Sequence, residues 1–267
     1  MGKVIAVTLP KGGVGKTTTA VNLAASLSLA GKHTLVVDAD AFGASAIALG
    51  ITGEKIRAGL FDVFNCTHAL PSVIHHTELP FLDLIPSNVR SIPMEERLLQ
   101  MAENRTILKQ ALREVRNVYD YIIIDTPPYL RGMTTNAIVA ADSVIIPVRA
   151  GHFSIDAVEK LISFLEWMRK IANSQIQIEG LLLTMHERRT KATTLTVDGL
   201  EKNFASLLFR TTIPKNSLLA ESTFYGKPVI VVNKESPGAL AYQALAMEII
   251  SREAASAPSS IPEIQSA

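Results

Sequence analysis

The stretch "LPKGGVGKTTTA", Leu9 to Ala20, packs three glycines, two lysines and three threonines into twelve residues. Gly12, Gly13 and Gly15 let backbone N–H groups, that of Val14 among them, converge on phosphate oxygens. A helix opening at Lys16 adds the positive end of its dipole. Lys16 is placed to hold the β- and γ-phosphates of a nucleotide, the Thr17 hydroxyl to ligate Mg²⁺, and Thr18 to add a phosphate contact. The eight-residue pattern G-x-x-x-x-G-K-[ST] is met everywhere except at its first position, which is Pro10. Phosphate-loop chemistry does not account for the second lysine, Lys11, at the mouth of the loop.

Carboxylates complete a phosphoryl-transfer site. "YDYIIIDTPP" is an apolar run ending in Asp125, where the Mg²⁺-coordinating aspartate of such sites stands. "TLVVDAD" ends in Asp38 and Asp40, which period-two geometry aims the same way. Both runs must be strands whose carboxyl ends meet at one edge of a sheet, where open α/β folds bind ligands.

Short β-branched runs alternate with longer amphipathic ones. Strands are expected at "KVIAVTL", "TLVVDAD", "FLDLIPS", "YDYIIIDTPP", "DSVIIPV" and "IEGLLLT", with helices over 17–30, 94–118, 153–172 and 191–206. Strands apolar throughout belong to a sheet covered on both faces. The expected fold is therefore α/β, a doubly wound, mostly parallel sheet with helices on both faces. One domain over 1–252 is expected, followed by a disordered polar tail over 253–267, whose Ala, Ser and Pro residues bury little. The 94–118 segment mixes charges of both signs and reads as a solvated amphipathic helix.

Composition excludes several classes. Lys plus Arg number 26 against 25 Asp plus Glu, so any nucleic-acid site must be a local patch. From 180 to 234 there are eight basic against four acidic side chains, which makes that segment the candidate. Cys66 is the single cysteine, reads as buried filler, and rules out an internal disulfide. The N-terminus carries no signal segment, and no apolar run approaches the roughly 18 residues of a membrane helix, so a soluble cytoplasmic protein is expected. His68, His75 and His76 lack metal-ligand spacing, and Phe164 and Trp167 read as core or dimer contacts.

Together "KGGVGKTT", "VDAD" and "IIIDTPP" resemble the ParA/MinD family of deviant Walker ATPases. The likeness continues through "LLLTMHERRT" and "IPKNSLLAESTFYGKPV" to "GALAYQALAMEI", similar to the chromosomal ParA (Soj) branch. The resemblance implies ATP and Mg²⁺ as cofactors and a role for Lys11, the signature lysine that reaches the phosphates of the partner subunit in an ATP-sandwich homodimer. It implies that Asp40 positions the attacking water and lies in the metal environment. Asp125 acts on Mg²⁺ through its water shell, and Pro214, Asn216 and Met185 line the adenine. Asn22 on the first helix also matches. Nonspecific DNA binding is implied, with Arg189 matching an arginine used on DNA and Arg188, Lys191, Lys202, Arg210, Lys215 and Lys227 around it. A ParB-like activator is the implied protein partner, and a chromosome, plasmid or protein assembly the cargo. The sequence departs from the family pattern at "TLPKGG", at Ala41-Phe42 in "DADAFGAS", and at Leu218, where many relatives carry a basic residue. A MinD-like ATPase cycling on a membrane is the alternative, but it requires a basic amphipathic C-terminal helix, and "SREAASAPSSIPEIQSA" is neither basic nor amphipathic. A nitrogenase-reductase-like carrier needs two cysteines per subunit.

Overall fold

The computed structural model describes residues 1–151, 154–187 and 190–256. Its strands are β1 (Lys3–Val7), β2 (Thr34–Asp38), β3 (His75–His76), β4 (Leu82–Ile85), β5 (Tyr121–Asp125), β6 (Ser143–Arg149) and β7 (Gln177–Thr184). They form one sheet in the order β3-β4-β2-β5-β1-β6-β7. Every pairing is parallel except β3 with β4. Parallel neighbours need long crossovers. Helices supply them, α1 (Lys16–Leu29), α2 (Ala44–Ala48), α3 (Leu60–Phe64), α4 (Ile92–Met101), α5 (Ile107–Leu112), α6 (Met133–Ala140) and α7 (Ser154–Ile171), while α8 (Lys191–Phe204), α9 (Ser217–Phe224), α10 (Val229–Val232) and α11 (Pro237–Ser256) follow the last strand.

The apolar strands feed two cores. Val4, Ala6, Leu35, Val37, Ile122 and Ile124 face one layer, built from α3 to α8. Their neighbours Ile5, Val7, Val36 and Ile123 face the other, built from α1, α2, α10 and α11. Alternate residues of one strand thus serve opposite layers, which is why these strands are apolar throughout. The doubly wound expectation is met.

Five details add to or change the sequence reading. The 94–118 segment is two helices, because Asn104 Oδ1 accepts from the amide and hydroxyl of Thr106 at 3.2 and 2.9 Å, an Asx turn that competes with the helix ladder. His75 and His76 form the short antiparallel edge strand β3. Cys66 is exposed rather than buried, since it stands just past the end of α3 at φ 57, turning the chain out of the helix. Trp167 is 45% exposed, stacked at a tilt on Phe164 with the Arg105 guanidinium 5.4 Å from its ring, so only Phe164 leans on the core. Finally, α11 continues to Ser256, four residues beyond the expected domain end, and the rest of the tail lies outside the described residues. Among the described residues, no helix is long and apolar enough to cross a membrane.

Candidate active site

Val7 and Asp38 both pair in register with Asp125, so β1, β2 and β5 end at one level. The loop after β1 turns back there through Gly13 at φ +67 and Gly15 at φ +88, left-handed conformations that favour glycine. Gly15 is the N-cap of α1 and has no side chain to cap it. Among the described residues, none of the backbone N–H groups from Gly12 to Thr18 finds an acceptor. Seven consecutive unsatisfied donors at a helix N-terminus form an anion cradle. The cradle is held from outside: Thr184 at the end of β7 donates to the Val14 carbonyl at 2.9 Å. Lys16 lies back over the loop, its Nζ donating to the Lys11 carbonyl at 3.0 Å. Burial lowers the Lys16 pKa, opposed by Asp125 and Asp40, so a phosphate arriving there meets a poorly solvated cation.

Asp38 and Asp125 are fully buried. Asp38 Oδ2 accepts from the amides of Ser45 and Ala46 at 3.0 and 3.3 Å, so it caps α2 rather than facing a ligand alongside Asp40. Asp125 Oδ2 accepts from the Ser45 hydroxyl at 2.9 Å, while its Oδ1 has no partner. Burial raises the Asp125 pKa to about 6. The nearby Thr17 and Ser45 hydroxyls pull it down, Asp40 pushes it up, and Lys16 lowers it. Burial and Asp125 likewise raise Asp38. A buried carboxylate with an orphaned oxygen, crowded by two others beside a threonine hydroxyl, fits a hydrated divalent cation held by Asp125 and Thr17. Asp40 is half-buried in a tight turn, its Oδ1 accepting from the Phe42 amide at 3.1 Å, and Phe42 projects from that turn, 80% exposed.

Beside the loop lies a cavity of about 330 Å³, lined by Gly15, Thr18, Met185, Pro214, Asn216 and Tyr242. Met185 is left-handed at φ 51, an uncommon conformation for its type. Asn216 stands at the N-cap of α9 but makes no capping bond, and its buried Oδ1 is unpartnered. It is an acceptor waiting for a donor, as an exocyclic amine of a base would supply. A larger cleft, about 880 Å³, runs from Phe42 and Ile47 to Arg57 and Arg90. No phosphate-loop residue lines it, so it is not the nucleotide site.

Several residues that build the site were not legible in the sequence. Ser45, Thr184 and Tyr242 come to it from distant segments, and Tyr242 ties α11 to α1 through Thr19 at 3.2 Å. Asn22 is a cross-tie, accepting from the Val229 amide and donating to the Thr18 carbonyl, both at 2.8 Å. The basic candidates are not gathered in one place. Arg188 and Arg189 lie outside the described residues. Lys191 and Lys202 are exposed on α8, eleven residues and thus three turns apart on one face, about 16 Å along it. Arg210 is exposed beside β7, its backbone held by Glu248. Lys215 pairs with Glu187 at 3.0 Å next to the base cavity. Lys227 pairs with Glu78 at 3.6 Å, near β3 at the opposite edge of the sheet.

A glycine loop between β1 and α1, with carboxylates at the ends of the adjacent strand β5 and of β2 beyond it, defines a P-loop nucleotide-binding fold. The family model described as an AAA domain matches residues 2–178. The sporulation initiation inhibitor protein Soj of Bacillus subtilis is 38% identical over 249 residues, 93% of this chain and 98% of that one. The chromosome partitioning protein ParA of Caulobacter vibrioides is 36% identical over 253 residues, 94% of this chain and 95% of that one. Among solved structures, cobyrinic acid a,c-diamide synthase of Mycobacterium smegmatis with a bound ATP analogue and magnesium superposes with a TM-score of 0.80 at 26% identity, covering 95% of this chain and 96% of that one. The chain belongs to the ParA/Soj family of partition proteins, with a ParA/MinD-type P-loop NTPase domain.

Proposed function

We propose that the protein is an ATP-hydrolysing molecular switch that dimerises around ATP, binds DNA without sequence preference, and segregates or positions a cargo with a ParB-like activator. The observation that carries the reading is the cradle of free amides from Gly12 to Thr18 together with the buried, orphaned Oδ1 of Asp125 at the end of the strand beside β1. The amides and Lys16 hold the phosphate chain of ATP, Asn216 and Met185 receive the adenine, and Thr17 and Asp125 hold Mg²⁺. Bound there, the cation neutralises charge on the transferred phosphoryl group. Asp40 orients the attacking water from its half-exposed turn. Lys11 completes the phosphate site of a second copy, which makes the γ-phosphate part of the dimer interface. The relationship to Soj and ParA supports this assignment over a membrane-cycling one. The DNA surface is placed on the α8 face of Lys191 and Lys202 with Arg210, and the protein is expected to associate with the nucleoid.

The test is ATP turnover with Mg²⁺ in wild type, Lys16→Ala and Asp40→Ala. Lys16→Ala is expected to lose nucleotide binding. Asp40→Ala is expected to bind ATP yet hydrolyse it on the order of 10²-fold more slowly in a single turnover. Unchanged hydrolysis in Asp40→Ala would remove Asp40 from the chemistry.

A further inference from the structure

Lys11 is not loose at the mouth of its loop. Its ammonium donates to Oγ of Ser154, 3.2 Å away at the first residue of α7. Ser154 is 1% exposed and donates its own proton to the Arg149 carbonyl at 2.5 Å. With the proton committed there, the hydroxyl turns lone pairs toward Lys11, the polarity an ammonium needs, since it can only donate. The lysine is also tied through its backbone, whose carbonyl accepts from Lys16.

The anchor is stiff. Gly151 of the same turn donates its amide to Thr196 Oγ1 on α8 at 3.2 Å. Ile155, next to Ser154, lies so close to Gly199 of α8 that a Cβ there would stand 2.3 Å from its Cδ1. Wedged against α8, Ser154 cannot follow a moving lysine, so Lys11 must let go of it to reach outward.

We propose that Ser154 is a positioning residue that holds Lys11 within its own protomer, so that the Lys11–Ser154 hydrogen bond opposes dimer formation. The proposal rests on the reading that Lys11 acts on a partner's phosphates. A hydrogen bond present only in the free protomer weights the monomer side of the equilibrium, and it does so once in each of two protomers. Losing both bonds should tighten the dimer by about tenfold, given the modest net worth of one such bond.

The test is the dimer dissociation constant of the full chain, from sedimentation with Mg²⁺ and a nonhydrolysable ATP analogue. Wild type, Ser154→Ala, Ser154→Gly, Ser154→Thr and Lys11→Ala are compared. Both hydroxyl-free variants are expected to dimerise about tenfold more tightly, and Ser154→Thr to restore the wild-type constant. Damage to the start of α7 weakens assembly rather than strengthening it, so the direction of the change separates positioning from a structural role. An unchanged or weaker dimer in both hydroxyl-free variants, with Lys11→Ala monomeric, overturns the proposal and leaves the role of Lys11 standing. A Lys11→Ala protein that dimerises like wild type overturns the reading on which the proposal rests.

Discussion

Asp38 and Asp125 stand opposite each other in register at the ends of β2 and β5, and Ser45 bridges them, its amide bonded to the first and its hydroxyl to the second. One residue at the start of α2 therefore ties both buried carboxylates to the helix that follows the Asp40 turn. Ser45 would thus link any change at Asp125 to α2, and so to the segment carrying Asp40 and Phe42.

Crowding at this pair has a stability consequence. The Asp125 pKa is raised to about 6, mainly by burial, so without nucleotide its favourable contribution is complete below the ordinary carboxylate pKa and is lost as pH rises through about 6. Asp125→Asn is expected to stabilise the nucleotide-free protein above that pH, on the order of 2 kcal/mol at pH 8. The gain should shrink as pH falls below about 6 and vanish only below the ordinary carboxylate pKa, by the same linkage. Thermal unfolding across this pH range measures it, and calorimetry should show that the same variant has lost Mg²⁺-dependent nucleotide binding.

The base cavity makes a separate prediction. Asn216 Oδ1 is buried without a partner, so a bound adenine gains a hydrogen bond that costs little to prepare. Asn216→Ala should weaken ATP binding about tenfold and leave unfolding nearly unchanged, because the side chain makes no cap on α9. Equal ATP affinity in calorimetric titrations of both proteins would place the base elsewhere.

Much of this was legible in the sequence because it is local. The glycines, Lys16 and Thr17 lie in one loop, and "YIIID" carries Asp125 to the end of a strand whose apolar character declares it central. What was not legible depends on contacts between distant segments. Ser45 reaches Asp125 across 80 residues and Ser154 reaches Lys11 across 143. Asp38 and Asp40 look equivalent under period-two geometry, yet the strand ends at Asp38 and the turn beyond it separates their roles. The basic segment from 180 to 234 reads as one patch only in sequence, because the fold carries Lys227 to Glu78 at the far edge of the sheet.

For DNA, that placement narrows the surface. Replacing both Lys191 and Lys202 with alanine should lower affinity for unrelated duplexes alike and reduce the salt slope by about one for each lysine that touches phosphate. Lys227→Ala, already paired with Glu78, should change little. Gel-shift titrations with ATP at two salt concentrations compare the three proteins.

If ATP closes a dimer through Lys11, the molar mass in solution must follow the bound nucleotide. Light scattering on the full chain with Mg²⁺ is expected to give a monomer with ADP and a dimer with a nonhydrolysable ATP analogue. Lys11→Ala should stay monomeric with either nucleotide while still binding both. A wild-type protein of the same mass with ADP and with the analogue, or a Lys11→Ala protein that dimerises as wild type does, would mean that ATP does not close a dimer through Lys11.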